Sequence, residues 1–256
     1  TASALSACFE EGVDRVELCA ALALGGLTPA YGLMKLAGRL EAGGQASCAA
    51  NAVEGVNTPE SVLSATRTLA MIRPRPGDFC YSESEVESMC DDIAAARKAG
   101  LAGVVLGAAT FDGNLDLLVL DRLSRAAGNL QKTLHRVVDL LDDPFLAIDQ
   151  AIELGFTRIL TSGGAPAVSD GMERLSQMQR YAGSRIQIMA GAGLTPDLAK
   201  AIHRQTGISA FHASCRRPVK PDPLLDAFGF AGRAGELDAG LIEQYRNAFT
   251  DESCGA

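Results

Sequence analysis

At 256 residues, 47% of them hydrophobic, the chain has enough apolar material for one large core, and α/β barrels of this length are ordinarily a single domain. Its 23 Lys and Arg against 31 Asp and Glu leave a formal charge of −8, which excludes broad binding to nucleic acid or an anionic membrane and points to a small partner. Seven cysteines, at 8, 19, 48, 80, 90, 215 and 254, form no CxxC pair and leave one over, excluding a zinc knuckle and a complete disulfide framework.

Residues 3–11 read as a helix ending at Gly12, so the chain opens on a helix with no strand before it. The opening TASALSACFEEG lacks the basic start and apolar stretch of a signal peptide, and no long uncharged apolar run follows; a soluble cytoplasmic protein is expected. The first predicted strand is 14–19. Its alternation puts Glu17 and Cys19 on one face, pointing into the sheet, and Val16 and Leu18 on the other, toward helices. A carboxylate inside a barrel must be paired or hydrogen-bonded. Residues 42–68 are rich in small side chains and read as a surface excursion, poorly ordered or loosely packed.

From residue 69 a repeat sets in, with strands at 69–73, 103–108, 132–137, 158–162, 186–190 and 209–213. Between them lie helical stretches at 84–99, 116–127, 144–154, 170–182 and 196–206. Ser84 with Glu87 predicts a capping box, Asp143-Pro144 and Thr195-Pro196 predict helix starts, and Gly100 and Gly155 predict helix ends. Strands separated by helical crossovers imply a parallel sheet. The expected fold is a TIM (β/α)8-type barrel over 1–256 that lacks its first strand and shows seven.

In such a barrel the C-terminal strand ends share one mouth. Met71, Arg73 and Arg75 fall on one face, and an arginine there would pair Glu17 and present a guanidinium fork to an anion; a purely structural Glu–Arg pair is the plainer alternative. His135 ends a strand with Asp139 four residues on, and His212 ends another. Glu17 or His135 would move a proton, with Asp139 or His212 orienting base or substrate, whereas a lone strand histidine is more often merely packed. His203, on a predicted helix, is expected to be solvated or capping. The turns after the late strands carry Ser162, Gly191, Gly193 and Ser214, whose backbone N–H groups would suit a phosphate; tight strand-to-helix turns explain the glycines equally well.

Seven stretches together carry a resemblance: DRVELCAALALGGLTP (14–29), MIRPRPGDFCYS (71–82), VLGAATFDGNLD (105–116), LHRVVDLLDDP (134–144), RILTSGGAP (158–166), IMAGAGLTPDL (188–198) and FHASC (211–215). The chain resembles the CutC-type copper homeostasis family. That resemblance implies a TIM barrel, cytoplasmic and homo-oligomeric, associated with copper tolerance and with Cu(I) binding through cysteine. The family pattern begins with a strand of the type LLEVCVDS, absent here, which leaves Cys19 alone to bind the metal. The extra segment within 42–68 is a second departure. Two readings of function follow. One is a copper homeostasis protein binding Cu(I); the other is an enzyme, or former enzyme, acting by acid–base chemistry on a small anionic metabolite. A binding or scaffold barrel without turnover is the blandest alternative.

Overall fold

The computed structural model describes residues 1–50, 66–220, 222–230 and 235–250, those at 45–50 and 250 by backbone alone. Seven parallel strands pair in sequence order: β1 (Arg15–Leu18), β2 (Arg67–Met71), β3 (Gly103–Leu106), β4 (Gln131–Leu134), β5 (Arg158–Thr161), β6 (Gln187–Gly191) and β7 (Ala210–His212). Glu17 lies opposite Leu69, Met71 opposite Val105, Leu106 opposite Leu134 and Gly191 opposite His212. Among the described residues β1 and β7 pair with no further strand, so the curled sheet is a TIM-like barrel left open at one seam.

Helices make the crossovers: α1 (Ala2–Glu10) precedes β1, and α2 (Tyr31–Ala50), α3 (Glu83–Lys98), α4 (Leu117–Ala127), α5 (Pro144–Glu153), α6 (Met172–Ala182) and α7 (Pro196–Thr206) follow the first six strands. Period-two alternation divides each strand's side chains between two cores. Leu18, Ile72, Leu106, Leu134 and Ile159 face outward into one continuous core with Met34, Met89, Leu120 and Ile148 of the helices. Inward, Leu69, Met71 and Val105 form a smaller cluster against Cys19, and Leu160, Met189 and Ala210 form another. Fully burying one such aliphatic side chain contributes about 1.5–3 kcal/mol, so the outer layer carries most of the stability.

Local signals explain the helix ends, with one correction. α3 begins two residues before the predicted box: Ser82 is the N-cap, and Glu85, not Glu87, returns the bond to its backbone N–H. The run Ser82-Glu83-Ser84-Glu85-Val86-Glu87 contains the spacing twice, and Arg75 of the preceding loop also binds Glu85, which anchors the earlier start. Asp143 and Thr195 cap α5 and α7 as expected. Of the 42–68 excursion, residues 42–50 continue α2 and Arg67 already opens β2, while 51–65 lie outside the described residues.

After β7 come elements outside the predicted set: an antiparallel hairpin of β8 (Arg216–Pro218) and β9 (Gly235–Leu237) around α8 (Pro223–Ala227), then α9 (Ala239–Thr250). Helix α9 packs across the seam on the helical side. Tyr245 donates to the Leu194 carbonyl at 2.6 Å, Phe249 stacks on Phe211 with centroids 5.2 Å apart, and Arg246 donates to the Glu11 carbonyl beyond α1. His203 bonds the Ile208 carbonyl at 2.9 Å and meets Phe249 edge-on. No helix among the described residues is long and apolar enough to cross a membrane.

Candidate functional site at the barrel mouth

Glu17 points inward from β1, and its side chain is only 12% exposed. Cys19, two residues on and therefore on the same face, donates its thiol hydrogen to Glu17 Oε1 at 3.5 Å. The other carboxylate oxygen lies 3.7 Å from Nδ1 of His212 on β7, so the two edge strands meet through their side chains across the seam. Burial first, then the Glu17 charge, pushes the Cys19 thiol far above its ordinary range and keeps it protonated. Gly191 makes room for His212: a Cβ at that position would sit 2.7 Å from Leu160 Cδ1 and 3.3 Å from His212 Cβ.

The loop after β1 folds down over this group. A bridge between Ala20 and Leu27 pinches it, and Gly26 adopts φ +88° so that its backbone rests on two sulfur-bearing side chains. A Cβ there would approach Cys19 Sγ to 3.2 Å and Met71 Cε to 3.6 Å. Arg73 holds the same loop from below. Its Nη1 donates to the Leu24 and Gly26 carbonyls at 2.8 and 3.3 Å, and its Nη2 donates to the Gly77 carbonyl at 2.8 Å. The expected Glu17–Arg73 pair is therefore not formed; the fork is occupied by backbone carbonyls, and the carboxylate has turned to Cys19 and His212.

Phe79, which no motif marked, sits between Arg73 (4.9 Å from its ring) and His135 (ring centroids 4.8 Å apart). His135 is enclosed, and Gly107 must lack a side chain because a Cβ would fall 2.1 Å from His135 Cε1. Nδ1 accepts the Val137 N–H at 3.1 Å, which makes Nε2 the protonated nitrogen, and Nε2 has no protein partner among the described residues. Burial, then the charge of Arg73, lowers the His135 pKa to about 3, so the ring is a neutral donor at pH 7.

Asp139 does not orient His135. Its side chain, 4% exposed, accepts from Thr161 Oγ1 at 2.5 Å, the Ser162 amide at 3.0 and 3.1 Å, Ser162 Oγ at 2.9 Å, the Gly164 amide at 3.0 Å and Arg136 Nε at 2.8 Å. The Gly163 amide turns to Thr161 Oγ1 at 2.9 Å. The Ser162 turn thus cradles an anion, as glycine-rich turns do, but the anion is the protein's own carboxylate. Arg75 faces away from the inward cluster, bound to Glu85, to Asp78 at 3.0 Å and to the Cys80 carbonyl at 2.7 Å. Gly193, at φ +70°, and exposed Ser214 lie in the turns after β6 and β7. Cys19, Glu17 and His212 are thus in direct contact, Arg73 and His135 flank Phe79, and Asp139, Ser162 and Arg75 belong to loop scaffolding. Among the described residues no three His, Cys, Asp or Glu side chains converge as a metal site.

Comparison with known proteins adds the lineage. The CutC family model matches residues 1–217. The chain belongs to the CutC family. CutC family proteins of Caulobacter vibrioides (strain NA1000 / CB15N) and Sinorhizobium medicae are each 43% identical to it, over 90% and 94% of this chain and 85% and 90% of theirs. A crystal structure titled as the putative copper homeostasis protein CutC from Streptococcus agalactiae superposes with TM-score 0.68 at 31% identity, covering 78% of this chain and 88% of that one. An aldolase, QR15, matches at TM-score 0.54 with 14% identity, a likeness of fold alone.

Proposed function

We propose that this CutC family member binds a small polar or anionic molecule at the mouth and moves a proton on it. Glu17 is the proton-moving carboxylate, His212 its imidazole partner, and Cys19 the thiol held beside them. The observation that carries this reading is the Glu17–His212 contact at 3.7 Å, with Cys19 bonded to the same carboxylate. A carboxylate with an imidazole beside it is what acid–base chemistry requires, and the His212 side chain is 34% exposed, open to a ligand. Nε2–H of His135, enclosed beneath Phe79, becomes a neutral donor for a ligand oxygen once that ring is displaced, and Arg73 adds positive charge behind it. Gly193 and Ser214 remain proposed backbone contacts for the ligand's anionic group. The test is a crystal soak with a panel of small carboxylates and phosphate esters, repeated on Glu17→Gln. A ligand within hydrogen-bonding distance of Glu17, His212 or His135 in the native protein, lost in the variant, supports the reading; binding that ignores the substitution removes it.

A second reading rests on the packing of the Cys19 thiol and the Met71 thioether beneath Gly26. Soft sulfur donors suit Cu(I). The donor set does not make a resident copper centre, since one protonated thiol and one thioether are a poor cage. Copper as a weakly held cargo, bound through Cys19, is the form of that reading the residues support. A cytoplasmic location and a homo-oligomeric state are proposed on the family resemblance alone.

A further inference from the structure

The end of the barrel opposite the mouth carries charge of its own. Alternation from Glu17 and Leu160 brings Arg15, the first residue of β1, and Arg158, the first of β5, to the inward side at the N-terminal strand ends. Arg158 is 94% hidden, at 6% exposure, yet its hydrogen-bond partners are both neutral: Nε donates to Gln187 Oε1 at 2.7 Å and Nη1 to Thr133 Oγ1 at 3.0 Å. Nη2 has no partner among the described residues. The charged group that acts on Arg158 is another cation, Arg15, which is exposed and has no carboxylate partner among the described residues. Burial first, then that repulsion, lowers the Arg158 pKa to about 10. Arg67, beside Arg15 in register, is answered by Glu41 at 3.6 Å and is not part of the set.

A guanidinium largely withdrawn from water without a counter-charge is destabilising, and repulsion from a second cation at the same end of the barrel adds to that. An oxyanion relieves both, because a guanidinium edge matches two oxygens of a tetrahedral anion. We propose that the N-terminal end of the barrel binds a phosphate-like oxyanion between Arg158 and Arg15, separate from the mouth. Arg158 supplies the enclosed donor edge, already oriented by Gln187 and Thr133, and Arg15 closes over the anion from the solvent side. The anion is either free inorganic phosphate or the phosphoryl group of a metabolite. Because Arg15 stands two residues before Glu17 on the same strand, such a ligand also braces the edge strand that carries the mouth carboxylate.

The experiment is a thermal-shift titration of the full chain with sodium phosphate and, separately, with glycerol 3-phosphate, each against sodium chloride at matched ionic strength. A saturable rise with phosphate beyond the chloride control is expected; a tighter response to the ester assigns the site to a metabolite. Arg15→Gln, at an exposed position where folding is not in question, weakens the phosphate response by about fivefold, and Arg158→Gln by about tenfold or more. Arg125→Gln, at an exposed arginine on α4 away from both ends of the barrel, leaves it unchanged. A rise equal to that in chloride overturns the site, as does native-like phosphate affinity in Arg15→Gln or an equal loss in Arg125→Gln.

Discussion

The turn after β5 and the seam between β1 and β7 each hold an inward carboxylate, and they use it in opposite ways. Asp139 accepts from two backbone amides, two hydroxyls and a guanidinium, so its acceptor capacity is spent on holding the chain. Glu17 faces one protonated thiol and one imidazole, and neither is a fixed backbone donor. The difference teaches that a carboxylate saturated by fixed donors is part of the scaffold, whereas one partnered only by titratable groups has chemistry left to perform.

The contrast is broken most directly at Asp139. Replacing it with Ala strands several buried donors, and a loss of about 3–5 kcal/mol is expected in urea denaturation. A loss below about 1 kcal/mol would dismiss its scaffold role. Next in size is the contact between Gly107 and His135 at the ends of β3 and β4. Gly107→Ala drives a methyl group into the His135 ring and is expected to cost about 1–3 kcal/mol, read from the same denaturation curves.

His135 gives the contrast a pH signature. Its folded pKa of about 3 lies below the unfolded value of about 6.5, so the unfolded chain takes up the proton more readily. The stability that comes from keeping the ring neutral is present in full above about pH 6.5 and is lost as pH falls toward 3. His135→Gln should flatten that acid limb, and a limb of unchanged slope would show that the ring is not held neutral.

Glu17→Gln should change stability by less than about 1 kcal/mol while raising the reactivity of Cys19 severalfold. The reason is that the Glu17 charge helps hold the thiol proton; alkylation by iodoacetamide at fixed pH reads the effect. An unaltered rate would leave burial as the whole cause. The smallest effect is expected with copper: weak Cu(I) binding in a competition titration, abolished by Cys19→Ser because a hydroxyl is a hard, poorly ionised substitute for thiolate. Unchanged affinity would remove Cys19 from the metal reading.

The alternation of Arg15 to Cys19, the crossover spacing after residue 69 and the caps at Asp143 and Thr195 are short-range properties, legible from residue order. They determined a parallel α/β barrel of seven strands and the shared face of Glu17 and Cys19; Arg75, which the same alternation puts on the face of Met71 and Arg73, lies beyond the end of β2 and turns away. Residue order left open which of two overlapping boxes starts α3, and β8, β9 and α8 are too short to show a period, although Ile242, Tyr245 and Phe249 of α9 do stand at helical spacing. Above all it left open the partners. A guanidinium and a carboxylate on facing positions attract, which suggests an anion fork at Arg73; the loop carbonyls of Leu24, Gly26 and Gly77 reach it first. Asp139 stands four residues from His135 in sequence, yet the His135 tautomer follows from the Val137 amide, and Asp139 belongs to a turn more than twenty residues later. Facing direction follows from the backbone period of each strand, so the sequence carries it. Pairing depends on where loops from distant strands come to rest, and only the tertiary structure decided that.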